Sequence, residues 1–343
     1  MLTADELVSL SNASLDYYVR AQPESQIIQD RPMYDDLMAS ADSFGGSNEF
    51  IKKNVKGVYS SSMTGYSHDD DVSYVNPANI KQSQAKWYET ASGIEVFYTE
   101  LKANGIHVVD SAMGKNVRAS ADELSRISNI FDDKNEDLME GSARSLAEMM
   151  WRDGTQDAKA IPGILSFILD APTVGTSFGI SRVSNTWWRN RASLLIDSST
   201  ASNNNLINTL QLEFRQLRRY AKPKHKMYAG STLLDAMEKE MRSKGTYTDT
   251  GWAKSGRLDP SMSDLEFKGI SITYDPLLDD LGRAKYLYVL DMKAIKLWKM
   301  ENEWMIPHNP ARPPEKYVLY RGLTATGAMC AQRLNSSGVY SIA

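Results

Sequence analysis

Apolar residues recur at helical spacing over one unusually long stretch of the chain. From Arg118 to Met150, Leu124, Ile127, Phe131, Leu138, Leu146 and Met149 mark a narrow stripe on an otherwise polar segment. That pattern predicts a single amphipathic helix. Ser120 and Glu123 have the spacing of a capping box at its start, and Asp153-Gly154-Thr155 stops it. At 1.5 Å per residue, about thirty residues reach roughly 45 Å, more than a compact core uses. Gly141 marks a candidate irregularity within it. A second amphipathic helix is predicted from Ser198. Leu206, Leu210, Phe214, Leu217 and Ala221 share one face, Arg215, Arg218, Arg219 and Lys222 another, and Pro223 closes it. A third helix, Ser231 to Lys244, stops at Gly245.

Elsewhere the texture is that of strands. Between Ile51 and Glu89, Val55, Val58 and Tyr59 precede a polar stretch, Gly65-Tyr66-Ser67-His68-Asp69-Asp70-Asp71, and Val72, Tyr74, Val75 and Ile80-Lys81-Gln82 follow. Two extended runs around a polar tip predict a long hairpin with too little apolar surface for a core of its own. A lone hairpin is marginal in water, so this one needs a second surface, and a neighbouring subunit would supply it. On that reading, removing residues 52–88 leaves a folded subunit. Trp87 to Asn104 starts as a strand and ends as a helix, and its type stays open. Further strands are predicted at Gly269–Tyr274, Lys285–Met292, Ile295–Trp298, Tyr317–Tyr320 and Thr324–Leu334. Residues 1 to about 45, broken by Pro23, Pro32 and Gly45-Gly46, read as an arm better ordered on a neighbour. Residues 246–264 read as a loop. The fold class is α+β.

Composition narrows the chemistry. A net charge of −4 over 343 residues argues against a dedicated nucleic-acid binder. One cysteine, Cys330, excludes a disulfide framework within the chain and a cysteine-based zinc site. The first residues lack the pattern of a secretory signal, and no apolar run approaches the roughly 18 residues that cross a bilayer. Gly175-Thr176-Ser177-Phe178-Gly179 matches the G-x-S-x-G of a hydrolase nucleophile elbow. The residues around it do not make the required strand-to-helix turn, so a glycine-rich turn between short strands is the preferred reading. Asp69, Asp70 and Asp71 lack the spacing of a calcium loop and read as an exposed acidic tip. His107 reads as a packed residue. Arg215, Arg218, Arg219 and Lys222 fit a solvated face, an inter-subunit salt-bridge surface or a phosphate contact. Trp187, Trp188 and Arg189 are of the types enriched at interface hot spots.

The order of parts carries a resemblance. A long helix runs into Trp151-Arg152-Asp153-Gly154-Thr155, then Ile161-Pro162-Gly163-Ile164, then Thr186-Trp187-Trp188-Arg189-Asn190. Strands with Tyr286–Leu290 and Leu297-Trp298 precede a closing Cys330–Leu334 and Gly338. This resembles the major capsid proteins of tailed double-stranded DNA phages, over about residues 86–343. Arg152 stands where that family commonly has glycine.

The resemblance implies an HK97-like fold: an N-terminal arm (1–45), an extended β-hairpin or E-loop (46–92), a peripheral domain (93–190) with a spine helix at 119–151, an axial domain (191–295), and a return to the peripheral domain (296–343). It implies a non-enzymatic protein without cofactor or metal. Such a protein assembles with itself into pentamers and hexamers of an icosahedral virion shell in the host cytoplasm. Scaffold and portal proteins, in some cases a decoration protein, and non-specific contact with packaged DNA go with it; a membrane does not. Trp187, Trp188, Arg189, Arg215, Arg218, Arg219, Asp69, Asp70 and Asp71 are the candidates for inter-subunit contact. The alternatives are a bacterial nanocompartment shell protein of the same fold and a serine hydrolase using Ser177.

Overall fold

A computed structural model describes residues 29–46, 48–71, 74, 76, 79–103, 121–198, 205–219, 222–243, 265–308 and 318–343. In chain order the first strands are β1 (Asp42–Phe44), β2 (Phe50–Lys56), β3 (Ile80–Lys86), β4 (Tyr88–Phe97), β5 (Thr176–Ser177) and β6 (Ile180–Ser181). Then come β7 (Arg191–Ile196), β8 (His225–Ala229), β9 (Leu265–Phe267), β10 (Ile270–Tyr274), β11 (Tyr286–Asp291) and β12 (Ile295–Met300). The last are β13 (Ile306–His308), β14 (Val318–Ala331) and β15 (Gly338–Ile342). The helices are α1 (Pro32–Ala39), α2 (Tyr98–Ala103), α3 (Ala121–Trp151), α4 (Leu206–Leu217), α5 (Ser231–Ser243) and α6 (Pro276–Asp280). Two compact units divide the chain. One is built on residues 91–146 and 305–325, the other on 30–90, 147–304 and 326–343.

The larger unit is organised by a six-stranded mixed sheet in the order β7-β15-β11-β8-β10-β9. Side chains alternate across it with period two. Met227, Ala229, Leu287 and Val289 face α4 and α5, whose Leu206, Leu210, Phe214, Leu217, Leu233 and Met237 complete one core. The intervening Tyr228 and Tyr288 pair across β8 and β11 and both meet the ring of Trp151. Helix α1 buries Met33 and Leu37, and the Tyr228 hydroxyl donates to Asp36 at 2.6 Å. Residues 32–44 are thus ordered on their own chain, with β1 pairing parallel to β12.

Hairpin β2–β3 has Phe50 opposite Lys86 and Lys56 opposite Ile80. Its base is not free of a core: Ile51 and Ala85 pack with Ala328 and Cys330, flanked by Phe44, Trp87, Phe178 and Trp298. Val55 and Ser83 are buried as well, and the Ser83 hydroxyl donates to the Ala331 carbonyl. The expectation that residues 52–88 are dispensable for folding is therefore corrected. The strands also stop at Lys56 and Ile80, and Val58, Tyr59 and Tyr74 lie outside them. Beyond Lys56 the side chains have little to pair on: Tyr66 is 73% exposed and Tyr74 92%.

The smaller unit pairs β13 with residues 322–324 of β14. Strand β4 also pairs with β14, and Gly93 lets the backbones approach: a Cβ there would stand 3.3 Å from the Arg321 carbonyl. Residues 88–103 are strand then helix, resolving the mixed reading of that segment. The long helix is present as 31 residues, unbroken at Gly141. Its capping serine, Ser120, and the side chains of Leu124, Ile127 and Phe131 lie outside the described residues, as does His107.

Three further readings are corrected. Helix α4 ends at Leu217, short of Pro223, with Arg218 at its C-cap and the guanidinium over the Phe214 ring at 4.4 Å. Lys222, with φ 45, is off the helix altogether. Residues 318–331 form one continuous strand where two were expected.

Candidate functional site

The segment joining α3 to β7 gathers the sequence motifs. Trp151, fully buried at the last residue of α3, donates its indole N–H to the Asp275 carboxylate at 3.0 Å. Asp275 also caps α6 by accepting from Leu277 N–H, and burial pushes its carboxyl up to about 6. One side chain thus ties the end of the long helix to the six-stranded sheet's tyrosines and to α6. Asp153 then accepts from the backbone and hydroxyl of Thr155 and from Gln156. Those bonds, the Thr155 backbone N–H first, hold its carboxyl below the usual range. Gly154 follows at φ 82, a left-handed conformation suited to glycine. Gly163 lies flat on the helix end: a Cβ there would fall 2.1 Å from the Met150 carbonyl oxygen. The Gly-Thr and Pro-Gly motifs are therefore the stop and the return of one tight reversal.

Arg182 explains the last motif. It is fully buried, and desolvation pushes its guanidinium down to about 10, which still leaves it charged at neutral pH. No carboxylate faces it among the described residues. Instead it donates to the Ser177 hydroxyl at 3.0 Å, to the Asn190 amide oxygen at 2.7 Å and to the Phe167 carbonyl. Asn190 also accepts from Leu169 N–H and donates to the carbonyls of Leu169 and Arg191. All its bonding capacity is used. Trp188 is buried and donates to the Ser177 carbonyl, while Arg189 donates to the carbonyls of Arg182 and Val183.

Ser177 is accordingly not on a strand-to-helix elbow. It sits in the two-residue hairpin β5–β6, with Phe178 at φ 52 between Gly175 and Gly179, and its hydroxyl accepts from an arginine. The glycine-rich turn between short strands is what the segment forms. Sequence reasoning passed over Arg182, because a lone arginine in a polar stretch gives no sign that it will be buried.

Beside this hub lies a groove of about 1240 Å³. One wall is the hairpin root, Asn54 to Tyr59; others are Trp187 to Ala192, Gln216 and Arg219, and Lys293 with Arg333. Trp187 is half-buried at its edge, against Gly57, where a Cβ would stand 2.1 Å from the indole. Of the sequence candidates, Trp187, Trp188, Arg189 and Arg219 thus meet at one groove. Arg215 and Arg218 are exposed nearby on α4 and the turn after it, outside the groove lining. Asp69, Asp70 and Asp71 are exposed at the far end of the hairpin, where Asp70 accepts from Ser67 N–H at 2.8 Å. Among the described residues no three His, Cys, Asp or Glu side chains are grouped to hold a metal ion.

No protein-family model matches the chain, and no curated protein does. Solved structures do. The chain is similar to the cyanophage A-1(L) capsid asymmetric unit, with TM-score 0.64 and 16% identity, over 97% of this chain and 98% of that one. It is similar to the capsid of a native GTA particle, with TM-score 0.57 and 11% identity, over 99% of this chain and 100% of that one. It is also similar to the SrpI encapsulin of Synechococcus elongatus, with TM-score 0.50 and 10% identity, over 97% and 94%. At such identities the likeness is one of fold: the chain has the α+β, HK97-like architecture of capsid and encapsulin shells.

Proposed function

We propose that this chain is a phage major capsid protein that assembles as pentamers and hexamers into the icosahedral shell around double-stranded DNA. One observation carries the reading. A fold matched end to end in shell structures bears a hairpin whose outer side chains Val58, Tyr59, Met63, Tyr66 and Tyr74 are left exposed by the described residues of the chain. Exposed apolar surface on an extended element marks an interaction site. In this reading residues 1–45 are the arm, 46–92 the extended hairpin, 93–190 the peripheral domain, 191–295 the axial domain, and 296–343 the return. The protein is a structural one. It works through itself, a scaffold and a portal, in some shells a decoration protein, and it is built into the virion in the host cytoplasm. Among the described residues no helix is long and apolar enough to cross a membrane. Many modest contacts, repeated through the shell, sum to a container that resists internal pressure.

Electron microscopy of the purified chain, alone and co-expressed with a scaffold, tests this. Uniform shells or rings of five or six copies support it; monomers under both conditions overturn it. The encapsulin likeness favours one second reading, a nanocompartment shell. Particles isolated from the producing cells distinguish them: packaged double-stranded DNA supports the virion, a protein cargo the nanocompartment.

A further inference from the structure

The groove beside Trp187 is lined by six cationic side chains, Lys56, Arg189, Arg191, Arg219, Lys293 and Arg333, and by no carboxylate. Two of these charges are already answered, Arg191 by Glu213 at 2.7 Å and Arg333 by Asp291 at 2.5 Å. Lys56 and Lys293 have no carboxylate partner among the described residues, and Arg189 donates to backbone carbonyls only. A concave site with three uncompensated cations, in a chain whose net charge is −4, favours an anionic occupant.

Two further features of the lining describe that occupant. Tyr59 lies along the groove with its side chain 77% exposed, an uncovered aromatic face. Asn335 also lines it, and its buried side-chain Oδ1 has no donor among the described residues. A buried acceptor left unpaired is costly, so a ligand that brings a donor is stabilised there. Several negative charges, a flat ring and a hydrogen-bond donor are together the chemistry of a nucleotide. The groove exceeds the roughly 300–1000 Å³ of ordinary small-molecule sites and has room for base, sugar and phosphates.

We propose that the groove binds a nucleoside polyphosphate. Its phosphates lie on Lys56, Arg189 and Lys293, its base on Tyr59, and a sugar hydroxyl or base amine donates to Asn335 Oδ1. The hairpin root supplies Lys56 and Tyr59, and the other walls supply Arg189, Lys293 and Asn335, so the ligand ties the root to the rest of the groove. A nucleic-acid strand offers the same phosphate chemistry, but with one charge per nucleotide. The polyphosphate is favoured because adjacent phosphates on a single base answer three cations at once. The proposal is independent of the shell reading above.

Calorimetric titration of the purified full chain with ATP, tripolyphosphate and a single-stranded oligothymidylate tests it. ATP is expected to bind at one site per chain, with a Kd below about 1 mM. Lys56→Glu with Lys293→Glu lowers that affinity at least ten-fold. Lys159→Glu with Lys239→Glu, the same change of charge at two exposed lysines outside the groove, leaves it unchanged. Tyr59→Ala weakens ATP but not tripolyphosphate, which separates the ring contact from the charge contact. Photolabelling of the unaltered chain with 8-azido-ATP marks the peptide that holds Tyr59 and is prevented by excess ATP, a readout that needs no variant to fold. Absence of ATP binding, equal losses in the two double variants, or labelling confined to other peptides overturns the proposal. An oligothymidylate that binds at least ten-fold more tightly than ATP, and loses its affinity in Lys56→Glu with Lys293→Glu, assigns the groove to a nucleic-acid strand and overturns it as well.

Discussion

The hub around Trp151 and Arg182 and the hairpin beyond Lys56 solve opposite problems with similar residue types. In the hub, tryptophans, an arginine, an asparagine and an aspartate are buried, and each of their polar groups named above has a partner in the same chain. Along the hairpin's outer part, tyrosines, a methionine and three aspartates stand in solvent. A buried polar group left unpaired costs more than the bond it replaces, so the hub is rigid and intolerant of change. The exposed side chains of the hairpin beyond Lys56 contribute almost nothing to the subunit's own stability, and so are free to serve a contact with another molecule.

Five changes, four of them point substitutions, would break or sharpen this contrast. The largest effect is expected for Trp151→Ala, which removes the ring packed against both Tyr228 and Tyr288 and strips Asp275 of a donor. A loss of about 3–5 kcal/mol in chemical unfolding is predicted, and a loss below 1 kcal/mol would mean that the hub is not the keystone described. Next, Arg182→Leu takes the arginine's donor from the Phe167 carbonyl and one of two donors from the Asn190 oxygen, which keeps only Leu169 N–H, at a cost on the order of 3 kcal/mol. Arg182→Lys recovers only part of it, because an ammonium lacks the planar fork.

A smaller, pH-dependent effect belongs to Asp275. Its folded-state carboxyl, at about 6, lies above the ordinary 3.8. Its contribution to stability is therefore fully present below pH 3.8 and is lost as pH rises through 6. Comparing the parent chain with Asp275→Asn at pH 4 and pH 7.5 should show the gap in unfolding free energy change by up to about 3 kcal/mol. A gap constant across that range would refute it. The smallest effect on folding is expected at the hairpin. Replacing residues 57–79 with a two-residue turn between the paired Lys56 and Ile80 should shift unfolding by less than about 0.5 kcal/mol, while particles vanish from sedimentation profiles. A large loss of stability there would place the outer hairpin within the subunit core.

Much of this was legible in the sequence because it is periodic or punctuated. The 31-residue helix, the faces of α4 and α5 and the antiparallel hairpin all follow from spacing. Where the periodicity was short, the reading failed. Strands β8 and β15 are five residues each, and β7 begins with an arginine that pairs outward to Glu213. Nothing local marks them, and only neighbouring strands make them strands. The end of α4 was missed because Arg218 and Arg219 keep the spacing of the cationic face although they lie in the turn after the helix. The groove was partly legible: Trp187, Trp188, Arg189 and Arg219 were candidates from their types alone. Lys56 and Lys293 were not, since a lysine far away in the chain becomes a wall only once the chain has folded.

Gly57 carries a mechanical consequence. It is the fulcrum where the projecting residues leave the body, pressed so closely on the Trp187 indole that no Cβ fits. From there to Asp69 the chain spans at most roughly 40 Å. A pivot of about 5° over such a lever sweeps its end through some 3–4 Å, as much as separates a hydrogen bond from none. In the proposed shell, the seat of this one glycine against one indole would gauge how each copy is angled to the next, and so the curvature of what the copies build.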